Sequence, residues 1–109
     1  MAEAVAVAEL QALLASARPP LLCDVRRQPA FDASPQVIPG ALRRQPEAVA
    51  DWAAALPGAA EVVVYCVHGH EVSQGVAAYL GGLGLRARYL RGGIEQWKTE
   101  GGATAALRD

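Results

Sequence analysis

Apolar residues fall along the chain in short blocks of two kinds, and the blocks alternate. Glu61-Val-Val-Val-Tyr65 is β-branched and apolar after one charge, which predicts a strand buried on both faces. Val72, Val76, Ala77, Tyr79 and Leu80 recur at helical spacing, so a helix is expected there, ended by Gly81-Gly82 and Gly84. Cys66-Val-His-Gly-His-Glu71 lies between them, a short polar loop opened by a cysteine.

The rest of the chain repeats this alternation. Val5-Ala-Val-Ala-Glu-Leu10 starts as a short strand and passes into a helix striped by Leu10, Leu13 and Leu14, which Arg18-Pro-Pro20 ends. Leu21-Leu-Cys-Asp-Val25 reads as a second buried strand, apolar except for Asp24. Arg26 to Gly40 carries Pro29, Pro35, Pro39 and Gly40 and is expected to be mostly loop, with one helical turn at Pro29–Ala33. Ala41-Leu42 is a brief candidate strand. Pro46 opens a helix with Val49, Trp52, Ala53 and Leu56 on one side, closed by Pro57-Gly58. Leu85 to Leu90 alternates as a strand, Arg91-Gly-Gly93 turns, and Ile94 to Glu100 forms a last helix anchored by Ile94 and Trp97.

Strands separated by helices of this length imply an α/β domain with a mostly parallel sheet covered on both faces. In such sheets ligands bind outside the carboxyl ends of the strands. Arg26-Arg27, Cys66 to Glu71 and Arg91-Gly-Gly93 all leave strands at that edge, and Arg43-Arg44 is expected nearby. Arginines around a cysteine suit a small anionic substrate, so Arg27, Arg43 and Arg44 are candidate anion ligands. Asp24 is expected to bond neighbouring loop amides, and Arg26 to make a structural pairing.

Length and composition narrow the field. At 109 residues the chain fits one domain spanning 1–109, and its 52% hydrophobic content reads as globular and soluble. A net charge of -1 gives no electrostatic case for nucleic acid or an anionic membrane. No apolar run approaches a bilayer span, and Met1-Ala-Glu-Ala-Val lacks the basic start of a secretory signal, so a cytoplasmic protein is expected. Cys23 lies in an apolar run and reads as a small buried hydrophobe; a disulfide to Cys66 is the less favoured alternative.

Cys66 is the candidate nucleophile. A strand-to-helix turn aims backbone N–H groups and the helix dipole at one point, where a thiolate is stabilised. The competing reading is an inert buried thiol ending a strand. For His68 and His70 two readings stay open, solvent-exposed loop residues or support for the thiolate. Metal binding with Cys66 would need an extended loop, so neither a metal nor a cofactor is expected. Ser73 is expected to cap the helix or bond the loop backbone. Trp52 and Trp97 read as core aromatics.

Cys66, Gly69, Ser73 and Gly75 resemble the active loop of single-domain rhodaneses, the thiosulfate sulfurtransferases. Leu22-Cys-Asp-Val-Arg26, Phe31, Ile38-Pro-Gly-Ala41 and Leu90-Arg-Gly-Gly-Ile-x-x-Trp97 match further elements of that family in order and spacing. The resemblance implies a rhodanese-like three-layer fold whose central sheet has about five strands. It also implies a Cys66 persulfide held by Val67, His68, Gly69, His70, Glu71 and Val72. Two positions depart from the pattern. Val37 stands where the family usually has His, and Glu71 where many members have Arg; a carboxylate facing the sulfur would repel an anionic donor.

The function expected is transfer of a sulfane sulfur from thiosulfate or a similar donor to cyanide, a thiol or a protein acceptor. One alternative is a non-catalytic module for partner binding or for metal or redox sensing, which Glu71 favours. Another is an arsenate reductase or phosphatase on the same fold. Those enzymes use a longer Cys-x5-Arg loop, and Val72 occupies the position of its arginine.

Overall fold

The computed structural model describes residues 2–58 and 60–107. The order is β1 (Glu3–Val5), α1 (Val7–Leu14), β2 (Leu21–Asp24), α2 (Gln28–Ala33), β3 (Gln36–Val37) and β4 (Leu42–Arg43). A 3-10 turn (Pro46–Ala48) follows, then α3 (Val49–Ala53), β5 (Glu61–Tyr65), α4 (Glu71–Gly82), β6 (Arg86–Leu90), α5 (Gly93–Thr99) and β7 (Ala105–Ala106). The five-stranded sheet has the order β1-β6-β5-β2-β4, and its pairings are all parallel.

β5 is central because its side chains alternate between two apolar layers. Val63 and Tyr65 join Val5, Leu10, Leu22, Leu90, Ile94 and Trp97 on the face covered by α1 and α5. Val62 and Val64 join Cys23, Val25, Ala53, Val76, Ala77 and Leu80 on the face covered by α3 and α4. Burying each large side chain of that strand contributes roughly 1.5–3 kcal/mol. The predicted three-layer α/β architecture is therefore the observed one.

The differences from expectation are local. The helix expected from Pro46 to Leu56 divides into the 3-10 turn and the short α3; the Trp52 indole N–H donates to the Gln45 carbonyl (2.8 Å). The expected turn at Pro29–Ala33 begins one residue earlier, at Gln28. β3 and β7 form a small antiparallel ribbon, Gln36 facing Ala106 and Val37 facing Ala105, that no periodicity predicts. Val37 is buried there, so the departure at this position sits in packing. Among the described residues no helix is long and apolar enough to cross a membrane.

Candidate active site

β2 and β5 are neighbours, and each releases its chain at the same edge of the sheet. The Val25 amide donates to the Tyr65 carbonyl (2.9 Å), so the two exits are tied together. Cys66 is the first residue beyond β5, and α4 begins at Glu71. The Cys66 thiol donates to the Ser73 hydroxyl oxygen at 3.1 Å. Ser73 is fully buried in the first turn of α4, so the sulfur lies over that helix's N-terminus.

The loop holds its shape through its carbonyls. Ile94 N–H donates to the Cys66 carbonyl (3.0 Å) and Glu95 N–H to that of Val67 (3.1 Å), both from the first turn of α5. The Gln74 amide side chain donates to the Gly69 carbonyl (3.0 Å). Gly69 has φ +72, and a Cβ there would stand 2.6 Å from the Leu90 oxygen and 2.7 Å from the Gly92 nitrogen. Only glycine satisfies both demands. By contrast, among the described residues no backbone N–H from Val67 to Ser73 donates to a protein acceptor. A run of free N–H groups at the positive end of a helix is a ready anion cradle.

Cys66 is only 6% exposed, yet it borders a cavity of about 230 Å³. Val67, His68, His70, Glu71 and Val72 line the same cavity, with Arg26, Arg27 and Ala30 opposite. The His68 and His70 rings are tilted, their centroids 6.0 Å apart. Among the described residues no three His, Cys, Asp or Glu side chains are grouped to hold a metal ion. Glu71, the first residue of α4, is exposed at the rim. A wider cavity, of about 650 Å³, lies at the opposite ends of β5 and β6; among the described residues no cysteine, serine or histidine lines it, and its Arg86 and Glu61 face each other at 3.6 Å.

Asp24 and Arg26 are buried together. The Arg26 guanidinium donates to Asp24 through Nε (3.0 and 3.1 Å) and Nη2 (2.6 Å), and to the Ser34 and Gln36 carbonyls (2.9 and 2.7 Å). Arg26 thus borders the cavity with its donors engaged elsewhere. Of the arginines proposed as anion ligands, Arg27 lines the cavity and Arg43 and Arg44 do not. Arg43 lies over the Phe31 ring (4.7 Å) and donates to the Asp24 and Arg44 carbonyls, while Arg44 donates to the Arg43 carbonyl. Burial lowers the pKa of Arg43, with Asp24 acting to restore it.

Two contacts at this edge escape sequence reasoning. Ser73 bonds the sulfur rather than capping α4, and only its place in the first helical turn after the loop hinted at this. The Tyr65 hydroxyl accepts from Ile38 N–H (3.0 Å), and burial pushes its pKa far above the usual phenol value. Cys23 and Cys66 are both free thiols, so the bridge between them is not formed.

Residues 6–100 match the model of the rhodanese-like domain. The chain belongs to the rhodanese-like domain family. No curated protein matches it. Among solved structures, a rhodanese-related protein from Thermoplasma volcanium superimposes with a TM-score of 0.83 at 22% identity, over 96% of this chain and 99% of that one. A Staphylococcus saprophyticus protein gives 0.78 at 26% identity, over 93% and 98%. A Rhodopseudomonas palustris protein described as a possible tyrosine phosphatase gives 0.81 at 22%, over 95% and 85%. The rhodanese-like domain thus accounts for the sheet order and for the cysteine loop at its carboxyl edge.

Proposed function

We propose that this rhodanese-like domain is a sulfurtransferase that carries a sulfane sulfur on Cys66. The observation that carries the proposal is the Cys66 sulfur over the first turn of α4, bordering a cavity, beside loop amides with no protein acceptor. The Cys66 thiolate attacks the outer sulfur of thiosulfate or a similar donor. The donor's S–S bond breaks, and its electron pair leaves with sulfite. The terminal sulfur left on Cys66 is an anion of the size and charge that the amides of 67–73 and the α4 dipole accommodate. Arg27 faces the entering donor. Glu71 is rim-exposed at a helix N-terminus, where a carboxylate is favoured, so solvent screens it from the sulfur.

Cyanide, a thiol or a protein cysteine then removes the sulfur, and ping-pong kinetics follow. No cofactor enters either half. Sulfite release is the test. Cys66→Ser should lose it by at least about a thousandfold; equal rates in the two proteins would remove Cys66 from the mechanism. An inert module would also leave Cys66 unlabelled by iodoacetamide at neutral pH, whereas the enzyme's thiol labels readily. Phosphatase chemistry fits less well, because Val72 borders the cavity where that chemistry needs a guanidinium.

A further inference from the structure

A second groove, of about 320 Å³, leads away from the Cys66 cavity along α4 and shares Arg27, Glu71 and Val72 with it. Its farther walls include Glu47, Val49 and Tyr79. From Glu71 to Tyr79 along the helix is about 12 Å at 1.5 Å per residue, room for about four residues of extended chain. Thiosulfate and cyanide are far too short to use it.

The floor of the groove includes Gly75, inside α4. Glycine in a helix interior costs about 1 kcal/mol relative to alanine. Gly75 does not have a positive φ, and a Cβ there would meet no atom within 4 Å. With no side chain at this exposed position, the groove is open along this turn of α4.

Charge and polarity indicate what that is. Glu47 and Glu71 are exposed, and neither forms an ion pair among the described residues. They outnumber the one guanidinium in the groove, that of Arg27. Val49 and Val72 are half-buried, and Tyr79 is 42% exposed, so an apolar wall runs beside the carboxylates.

We propose that this groove receives the sulfur acceptor, and that the acceptor is a protein cysteine on an extended segment bearing basic and apolar side chains. The inference rests on the sulfur-transfer reading of Cys66. The acceptor thiolate attacks the outer sulfur of the Cys66 persulfide. The acceptor thiol's own proton passes to that outer sulfur, and the S–S bond to Cys66 breaks. Its electron pair stays on the Cys66 sulfur as the thiolate, and the acceptor leaves as the persulfide. Basic side chains meet Glu47 and Glu71, and apolar ones meet Val49 and Tyr79. A small thiol with net negative charge satisfies neither.

The test compares discharge of the Cys66 persulfide to cyanide, to an eight-residue peptide whose single cysteine is followed by lysine and leucine, and to the same peptide with glutamate for lysine. The basic peptide should react at least tenfold faster than the acidic one at low salt, and the difference should shrink as salt rises. Gly75→Gln, which fills the groove floor, should lower the ratio of basic-peptide to cyanide discharge at least tenfold, and Glu47→Gln about threefold. Equal rates for the two peptides, or a Gly75→Gln protein slowed alike towards peptide and cyanide, would overturn the inference while leaving sulfur transfer intact. Binding of a labelled serine analogue of the basic peptide is followed separately by fluorescence anisotropy. Binding without any sulfur uptake from thiosulfate would instead refute the Cys66 reading, and the acceptor role with it.

Discussion

The chain leaves β2 and β5 side by side, and the two exits use their polar groups in opposite ways. Beyond β2, the Asp24 carboxylate and the Arg26 guanidinium take up each other, and the remaining guanidinium donors take the Ser34 and Gln36 carbonyls. Beyond β5, the loop's carbonyls are engaged by α4 and α5 while the amides of 67–73 are left for another partner. The cysteines follow the same division. Cys23 sits inside β2, 0% exposed, and burial pushes its thiol up to about 11, with Arg44 opposing the rise. Cys66 is scarcely more exposed, at 6%, yet it borders a cavity and has a hydroxyl partner. Exposure alone does not distinguish the two thiols; what surrounds each sulfur does.

Breaking the saturated exit should have the largest effect on stability. Arg26→Met strands the buried Asp24 carboxylate and should cost about 3–5 kcal/mol in urea unfolding. A loss under 1 kcal/mol would mean that the pair is not the structural centre of that exit. Gly69→Ala attacks the unsaturated exit. Its φ of +72 and the fixed backbone of Leu90 and Gly92 should together cost roughly 2–3 kcal/mol and displace the loop, so sulfite release should fall with stability. A neutral change would contradict the loop geometry.

Smaller substitutions sharpen the contrast. Ser73→Ala removes the hydroxyl that can turn to donate to the Cys66 thiolate, worth about 1 kcal/mol, so thiosulfate turnover should fall roughly fivefold. Ser73→Thr should restore part of it, and an unchanged rate in Ser73→Ala would discard the contact. The thiols differ also in pH response. The folded-state pKa of Cys23 lies above its unfolded value of roughly 8.5. The resulting stability is fully present below that pH and is lost as pH rises towards 11. At pH 8 iodoacetamide should therefore modify Cys66 alone in the native protein. Early labelling of Cys23 without unfolding would contradict its burial.

Much of this was legible in the sequence. The β-branched run at Val62–Val64, the spacing of Val72, Val76 and Leu80, and the strand-end position of Cys66 each follow from patterns set by neighbouring residues. Arg27 could be placed at the site because it lies just past a strand end. Arg43 and Arg44 satisfy the same topological argument, but the fate of their guanidiniums depends on Phe31 and on nearby carbonyls, which spacing along the chain does not encode. The β3–β7 ribbon escaped because two-residue strands carry no period and their partners are far apart in the chain. The shorter α3 reflects a 3-10 start and an indole bond back to Gln45, a tertiary choice among helix-forming residues.

The central claim is that the free amides beyond β5 hold one added sulfur on Cys66. Intact mass after incubation with thiosulfate tests it most directly. The account predicts a gain of one sulfur atom in the wild type and in Cys23→Ala, reversed by cyanide and absent in Cys66→Ser. A wild-type mass that never changes, or a gain that persists in Cys66→Ser, would contradict it.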